Sequence, residues 1–506
     1  MPTQSWPLDN LFARLPETFY ARVDPTPVAK PHLLRLNRPL ADHLGLPVDL
    51  LETDDGVEVL AGNRVLDEMD PIAMVYAGQQ FGNWVPQLGD GRALLLGEVI
   101  DREGVRRDIQ LKGAGPTPFS RNGDGRAALG PIIREYIVSE GMAGLGIPTT
   151  RALAMTRTGE PVYRERALPG AILARVATSH VRVGTFQYFM SRGDVDAIRM
   201  LADHLIERAF PQTLAMTSTR DAARTSATTA NPYRAFLEEV IERQADLIAR
   251  WMGVGFIHGV MNTDNVSIVG ETLDYGPCAF MDRYHPDTVF SSIDRLGRYA
   301  YRAQPGIALW NLARFAETLM PLLASTEDAA TQYIQEALAG FSPRFQASHG
   351  VEFRRKLGLL EACDANDQIV VRLLATMAEQ GADFTLTFRA LSECDPGRPS
   401  TMGEVRSLFD DPTAFDEWTK SWRERLNAEA RDAEERRVDM RSANPAFIPR
   451  NHRVQQVIEA AEHGDLTPLD DLLTVVTQPF VDHPGLEDLA RAPKPDEVVQ
   501  QTFCGT

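Results

Sequence analysis

At 506 residues the chain is well past the size at which one hydrophobic core stops growing, so two or three lobes are expected. Its 43% hydrophobic and 24% charged residues are ordinary for a globular protein. A net charge of −18 argues against nucleic-acid and anionic-membrane partners, which need a basic face.

No apolar run is long enough to span a bilayer. The N-terminus lacks the basic-then-apolar order of a secretory signal, and it carries Asp9, Glu17 and Asp24, which a transit peptide avoids. Cys278, Cys363, Cys394 and Cys504 are too few for a disulfide scaffold and lack zinc spacing, so a cytoplasmic protein is expected.

Residues 1–70 mix short apolar segments with prolines and read as an irregular wrapping segment with short helices, one near 39–44. Residues 93–100 read as a strand and 105–112 as its partner across a turn at 101–104. Lys112 then ends a strand that follows a Gly-containing hairpin, where a protein kinase puts its phosphate-binding lysine. The chain has five lysines, and Lys112 is the only one between Lys30 and Lys356. In so Arg-biased a sequence a Lys marks a place where a planar guanidinium does not fit; the alternative is an ordinary surface Lys. The turn Gly89-Asp90-Gly91-Arg92 departs from a kinase glycine loop. A carboxylate facing phosphates is repulsive, so this turn is expected over a ribose or base.

Residues 113–125 form a loop, and Pro131 suits a first helical turn. Ile132, Ile133, Tyr136, Ile137 and Met142 give the helix that follows an apolar face. Glu135 on that helix is the expected ion-pair partner of Lys112. Arg121, Arg126 and the loop amides form a candidate anion site, a capped surface loop being the alternative. Residues 147–190 read as strands, with Arg175 and Arg182 as candidates for a phosphate clamp. After Gly184 the pattern turns helical: 195–210, 233–252, and roughly 306–324, 326–340, 366–379, 413–435 and 452–463. Residues 211–232 read as a flexible insertion.

The densest chemistry lies in 253–282. A short strand (Phe256, Ile257) leads to a polar loop (258–265), a strand at 266–269, a Gly270-Glu271 turn, a short strand (Thr272, Leu273) and Asp274-Tyr275-Gly276. Pairing of these strands through the Gly270 turn returns Asn265 and Asp274 to one end of a hairpin. Their oxygens are hard ligands suited to Mg²⁺ against phosphates. Protein kinases place a catalytic-loop Asn and a DFG Asp in this way. The alternative is a polar hairpin with solvated carboxylates. The kinase proton acceptor in H-R-D-x-x-x-x-N is replaced here by Val260, which accepts no proton.

Three stretches, YAGQQFGNWVPQLGDGRALLLGEV, QLKGAGPTPFSRNGDGRAALGPIIREYIVSE and GFIHGVMNTDNVSIVGETLDYGPCAFMD, resemble the selenoprotein O family of pseudokinases. The resemblance covers essentially the whole chain, down to Cys504, third from the end, where some members carry selenocysteine. It implies an α+β, protein-kinase-like two-lobed fold: a wrapping segment (1–70), a β-rich N-lobe (71–183), a helical C-lobe (184–400) and a helical C-terminal extension with a Cys tail (401–506). It implies ATP bound in a flipped orientation and AMP moved to Ser, Thr or Tyr hydroxyls of protein substrates. Carried over, Gly89, Gly91 and Arg92 contact the nucleotide, and Asp124 and Gly125 line its site. Lys112 binds phosphates and pairs with Glu135, and Arg175 and Arg182 hold the phosphate tail. Asn265 and Asp274 bind Mg²⁺ or Mn²⁺, and Asp264 accepts the proton. A protein kinase or uridylyltransferase using the same pocket, and a nucleotide-binding pseudokinase without catalysis, stay open. Cys278 and Cys504 are expected to form a reversible disulfide that ties the tail over the cleft; the alternative is a small buried hydrophobe and a free tail thiol.

Overall fold

The computed structural model describes residues 6–214, 231–395, 398–429 and 431–502. It is a mixed α and β structure built on one antiparallel sheet. The strands are β1 (Tyr20–Arg22), β2 (His32–Leu36), β3 (Ile72–Met74), β6 (Ala93–Ile100), β7 (Arg106–Lys112), β9 (Arg151–Tyr163) and β10 (Ala167–Ala177), in the order β1-β3-β6-β7-β10-β9-β2. A short strand β8 (Ala127–Ala128) also pairs with β10. A separate hairpin joins β4 (Gly78–Gln80) to β5 (Asn83–Val85), and β11 (Phe256–Ile257) pairs with β12 (Ala279–Phe280). The wrapping segment therefore supplies both edge strands of the sheet.

Strand β6 is buried at every position but Ile100. Successive side chains point to opposite faces, so such a strand must be covered on both sides. One cover near the site is α4 (Leu129–Gly144), preceded in the chain by the short helices α1 (Arg38–His43), α2 (Val48–Leu51) and α3 (Asp54–Leu60). Ile133, Tyr136 and Ile137 of α4 pack into one cluster with Met155 and Leu173 of the sheet. The same cluster takes in Val454 and Val457 of α16 (Asn451–Glu462) and Leu472 and Val476 of α17 (Thr467–Val476). Each such side chain contributes about 1.5–3 kcal/mol when fully buried. The C-terminal helices thus clamp α4, the helix that carries Glu135, against the sheet.

Of helices α5 (Val183–Met190), α6 (Val195–Ala209), α7 (Pro232–Gly253) and α8 (Gln304–Leu323), α5, α7 and α8 contact the 254–282 segment, and α6 packs on α5 and α8. Asn231 caps α7 by accepting from the N–H groups of Tyr233 and Arg234, and Pro232 sits at its start. There follow α9 (Glu327–Ala339), α10 (Phe341–Lys356), α11 (Asp364–Gln380), α12 (Phe384–Ser392), α13 (Gly403–Arg406), α14 (Thr413–Ala428) and α15 (Ala433–Ala443). Buried Arg450 ties this part to the central segment through Asp282 and Asp383. Among the described residues no helix is long and apolar enough to cross a membrane.

The structure corrects several expectations. The hairpin through Gly270 does not pair with itself: Ser267 bridges Arg182 and Thr272 bridges Thr149. The chain still reverses at Gly270, whose φ of 78° suits glycine and whose N–H donates to the Ser267 carbonyl at 3.4 Å, but the flanking Ile268 and Thr272 N–H groups donate outside the turn, to the carbonyls of Val181 and Pro148. Residues 183–190 are helical rather than extended. The expected helix 413–435 is two helices, the second capped by Asp432, which accepts from Glu434 and Glu435. Helix α10 was hidden by Gly340, Pro343 and Gly350, yet Pro343 lies in its first turn, where no hydrogen bond is lost. Most of the expected insertion at 211–232 lies outside the described residues.

Candidate active site

An open cleft of about 810 Å³ lies between the ends of β6, β7 and β10, the 113–126 loop and the 258–277 segment. Gly89, Gly91, Arg92, Lys112, Asp124, Gly125, Arg175, Arg182, Asp264, Asn265 and Asp274 all line it.

Sheet register brings the cations together. Gln110 and Lys112 are two apart on β7 and share a face, and Arg175 of β10 stands opposite Gln110. The Arg175 Nε donates to Gln110 Oε1 at 2.7 Å, which fixes the guanidinium toward the cleft. Lys112 Nζ donates to Glu135 at 2.5 Å and to Asp274 Oδ1 at 3.2 Å. Arg175 Nη1 donates to the same two carboxylates, at 3.1 and 2.8 Å. Arg182 Nη1 lies 3.0 Å from Asp274 Oδ2, and its guanidinium stacks on the Tyr76 ring, 4.5 Å from the centroid. Three cations therefore share one carboxylate.

Magnitudes decide the protonation state of Asp274. Burial opposes its ionisation, by several kcal/mol for an ion taken out of water. Against that, each unit charge at about 3 Å contributes roughly 5 kcal/mol at an effective dielectric constant of about 20. Arg182, Arg175 and Lys112 win and hold the carboxyl well below its ordinary range. Glu135 is lowered in the same way, burial being outweighed by Lys112 and Arg175. The Asp274 backbone sits at φ 59°, a left-handed conformation that costs a non-glycine residue about 1–2 kcal/mol. The surrounding ion pairs hold it there.

Asn265 and Asp264 sit in a 3₁₀ turn, Thr263–Asn265. Asn265 Nδ2 donates to the Val260 carbonyl at 3.1 Å, which leaves Oδ1 for the cleft. Val260 thus orients a neighbour through its backbone although its side chain has no proton chemistry. Asp264 is 6% exposed. Its Oδ2 accepts from Gln80 Nε2 at 3.2 Å, while its buried Oδ1 has no hydrogen-bond partner among the described residues. Burial raises its carboxyl, against the pull of Gln80 and Arg182. Buried His258 contacts the Leu273 carbonyl through Nε2 at 2.9 Å, so the loop is tied to the segment that delivers Asp274.

Several groups at the cleft were not singled out from sequence. The β4–β5 hairpin grips the 262–264 turn: the Gln79 N–H donates to Thr263 Oγ1 (2.7 Å) and the Phe81 N–H to Asn262 Oδ1 (2.9 Å). A Cβ on Gly78 would lie 2.5 Å from Asp264 Oδ1, so only glycine leaves room for that carboxylate. Arg164 pairs with Asp124 at 2.8 Å and also lines the cleft. The signal for the hairpin was present in the Gly-Gln-Gln-Phe-Gly run of 78–82.

Two expectations about the loops change. Asp90 does not face the ligand space with a bare carboxylate. It is 3% exposed, and its Oδ2 accepts from the Met74 N–H (3.2 Å) and Gln110 Nε2 (3.1 Å). Gly89 (φ 78°) is required because the Phe119 ring would lie 2.4 Å from its Cβ. Arg126 is not free to bind an anion: it donates to the carbonyls of Thr26 and Pro27, both at 3.0 Å, and staples the N-terminal segment. Arg121 is exposed at the cleft.

Among the described residues no three His, Cys, Asp or Glu side chains gather as a metal cluster. Asn265 Oδ1 and the Asp274 carboxylate are two hard oxygen donors on one cleft, a set that fits Mg²⁺, which keeps several waters and takes phosphate oxygens. Cys278 is fully buried. Thr502 Oγ1 donates to the carbonyl of its neighbour Pro277 at 2.6 Å, which puts the chain end beside it. Cys504 lies outside the described residues.

Comparison with known proteins gives a consistent result. Residues 4–477 match the family model described as protein adenylyltransferase SelO. The protein nucleotidyltransferase YdiU of Rhodopseudomonas palustris (strain BisB18) is 58% identical over 502 residues, covering 99% of each chain. The protein of that name from Methylorubrum populi is 58% identical over 510 residues, and that from Bradyrhizobium sp. (strain ORS 278) 58% over 505, each covering the whole of both chains.

Proposed function

The chain belongs to the SelO family of protein adenylyltransferases, and from that membership we propose that it moves AMP from ATP to Ser, Thr or Tyr hydroxyls of proteins and releases pyrophosphate. One observation supports this most strongly: Lys112, Arg175 and Arg182 converge in a cleft beside Asp264, a buried carboxylate with an unclaimed oxygen, while Val260 fills the usual kinase base position.

In this reading the sheet and α4 form the smaller lobe of a protein-kinase-like fold (71–183), the helices the larger (184–400), with 1–70 wrapping and 401–506 clamping α4. The enzyme works in the cytoplasm. ATP lies reversed, with Gly89, Gly91 and Arg92 along the nucleotide and Asp124 and Gly125 at the loop wall. Lys112, Arg175 and Arg182 exchange part of their contact with Asp274 for phosphate oxygens, and Glu135 keeps Lys112 in place. Asn265 and Asp274 hold Mg²⁺ or Mn²⁺, which when bound neutralises phosphate charge. Asp264 Oδ1 takes the hydroxyl proton as the acceptor oxygen bonds to the α-phosphorus. The bond to pyrophosphate breaks, and the basic side chains stabilise the charge that leaves. Cys278 and Cys504 form a regulatory disulfide, which requires their Cα atoms to come within about 7 Å.

Parallel incubations with α- and γ-labelled ATP test this. Label retained on protein from the α position alone is expected. Label from γ alone would make the enzyme a kinase, preference for UTP a uridylyltransferase, and tight nucleotide binding without label a scaffold.

A further inference from the structure

We infer that the 291–299 loop at the mouth of the cleft is the docking surface for the acceptor protein, taking an apolar side chain close to the target hydroxyl on Ile293 and Leu296 and an acidic one on Arg295. The inference rests on the proposed protein-modifying activity.

The loop is built rather than slack. Asp294 is 6% exposed, and its two oxygens accept the N–H groups of Arg298 (2.9 Å) and Tyr299 (2.8 Å). Its own N–H donates to the Ser291 carbonyl at 3.1 Å, closing a turn. Tyr299 anchors the loop to the catalytic-type turn: its hydroxyl donates to Asn262 Oδ1 at 2.5 Å, and the Phe81 ring meets it edge-on at 5.1 Å. Ser291 pairs with Thr502 at the other side. A loop held this firmly nevertheless leaves Ile293 65% and Leu296 95% exposed. That gains the fold nothing, since apolar area is stabilising only when removed from water.

Position identifies the occupant. Ile293 also lines the cleft, as do Val260 and Pro277, so apolar side chains reach from the turn that carries Asp264 to the loop on which Leu296 stands three residues further on. The polar end of the same cleft holds Lys112, Arg175 and Arg182, leaving the apolar end for the acceptor. Arg295 is exposed and makes no ion pair among the described residues. In a chain of net charge −18, which repels acidic partners at long range, an exposed arginine standing in sequence between Ile293 and Leu296 selects for an acidic residue at one position.

The test uses the full-length reduced enzyme, α-labelled ATP and a positional-scanning peptide library with a central Ser, Thr or Tyr. The expected result is selection for Leu, Ile or Phe at one flanking position and for Asp or Glu at another. Leu296→Asp and Ile293→Asp should each lower kcat/KM for the selected peptides about tenfold through KM. Arg295→Glu should reverse the acidic preference, and the KM for ATP should not move in any of the three. Transfer by the wild type with no flanking preference, or with preferences the variants share, overturns the docking surface and leaves the activity standing. No transfer by the wild type to any peptide overturns both. A dimer in sedimentation that Leu296→Asp dissociates gives this face to a second copy instead. A chain ending at Thr502 that raises transfer to every peptide alike gives it to the chain's own last residues; both results overturn the inference.

Discussion

Strands β6, β7 and β10 carry two buried charge networks, one at each end. At the cleft end, Lys112, Arg175 and Arg182 share Asp274, and Lys112 and Arg175 also share Glu135. At the other, Arg208 of α6 spans Glu98 of β6 (2.9 Å) and Asp108 of β7, while Arg106 adds to Glu98 and His180 to Asp108. Arg208 also donates to the Thr178 carbonyl, at 2.7 and 3.0 Å, and Glu98 accepts from the Phe12 N–H. None of the charged residues of the second network lines that cleft, and the network joins the N-terminal segment, the sheet and α6. The first opens on about 810 Å³, contains a left-handed Asp274 and adjoins a carboxylate oxygen of Asp264 that has no partner among the described residues. Similar residues thus serve opposite ends: charges that satisfy one another hold a fold, and charges that leave capacity facing a cavity can exchange partners with a ligand.

That contrast can be broken by mutation. Asp274→Asn keeps the shape, and Asn tolerates the left-handed backbone. It should reduce transfer on the order of 10³-fold, as loss of a charged transition-state contact does, in a protein that is still folded at the assay temperature, although Lys112, Arg175 and Arg182 lose a shared partner and some melting temperature with it. Near-normal transfer by the folded variant would remove Asp274 from the chemistry. Arg208→Met should do the reverse. It strands two buried carboxylates and should cost about 3 kcal/mol or more in urea unfolding, with the KM for ATP unmoved in the folded protein. A folded Arg208→Met enzyme of unchanged stability and impaired ATP binding would erase the distinction between the two networks.

A smaller effect sharpens it. Burial opposes ionisation of Asp108, but Arg208 and His180 pull its carboxyl from 3.8 down to about 2. A lowered folded pKa contributes stability above the unfolded value, and that stability is lost as pH falls through the folded one. The contribution should be complete above about pH 4 and disappear toward about pH 2, amounting to roughly 2 kcal/mol. Glu98, pushed up by burial, works in the opposite direction, so the comparison to make is wild type against Asp108→Asn. The variant's acid unfolding curve should be flatter in that window. An unchanged curve would show that Asp108 does not titrate as part of this network.

Much of the cleft was legible because its signals are local. Lys112 ends a hairpin strand and Glu135 lies on the next helix, so the strand–loop–helix order, matched to that of a protein kinase, predicts the pair. Asn265 and Asp274 were placed on one site by a turn that does reverse the chain, although the strand pairing inferred for it was wrong. What stayed hidden depends on distant partners. Ser267 and Thr272 find theirs at Arg182 and Thr149, and Asp90 turns inward because Met74 and Gln110 offer donors. Arg164 reaches the cleft only because β9 is long enough to carry the chain past Asp124. No residue spacing within one segment encodes such contacts.

The smallest effect concerns the tail. Thr502 already bonds to the carbonyl before Cys278, so oxidation should link Cys278 to Cys504 and slow transfer severalfold, by the constraint such a bond puts on the chain. Peptide mapping by mass spectrometry, with Cys504→Ser as control, checks this. The absence of a linked peptide together with a rate indifferent to reductant would end it.

The central claim is that the cleft transfers AMP. Its most direct test is the mass added to an acceptor protein incubated with enzyme, Mg²⁺ and ATP, with Asp274→Asn enzyme alongside. The account predicts one AMP per modified hydroxyl, pyrophosphate in equal amount, and no adduct from the Asp274→Asn enzyme although it is folded at the assay temperature. An added phosphate in place of AMP, or the same AMP adduct from the Asp274→Asn enzyme, would contradict it.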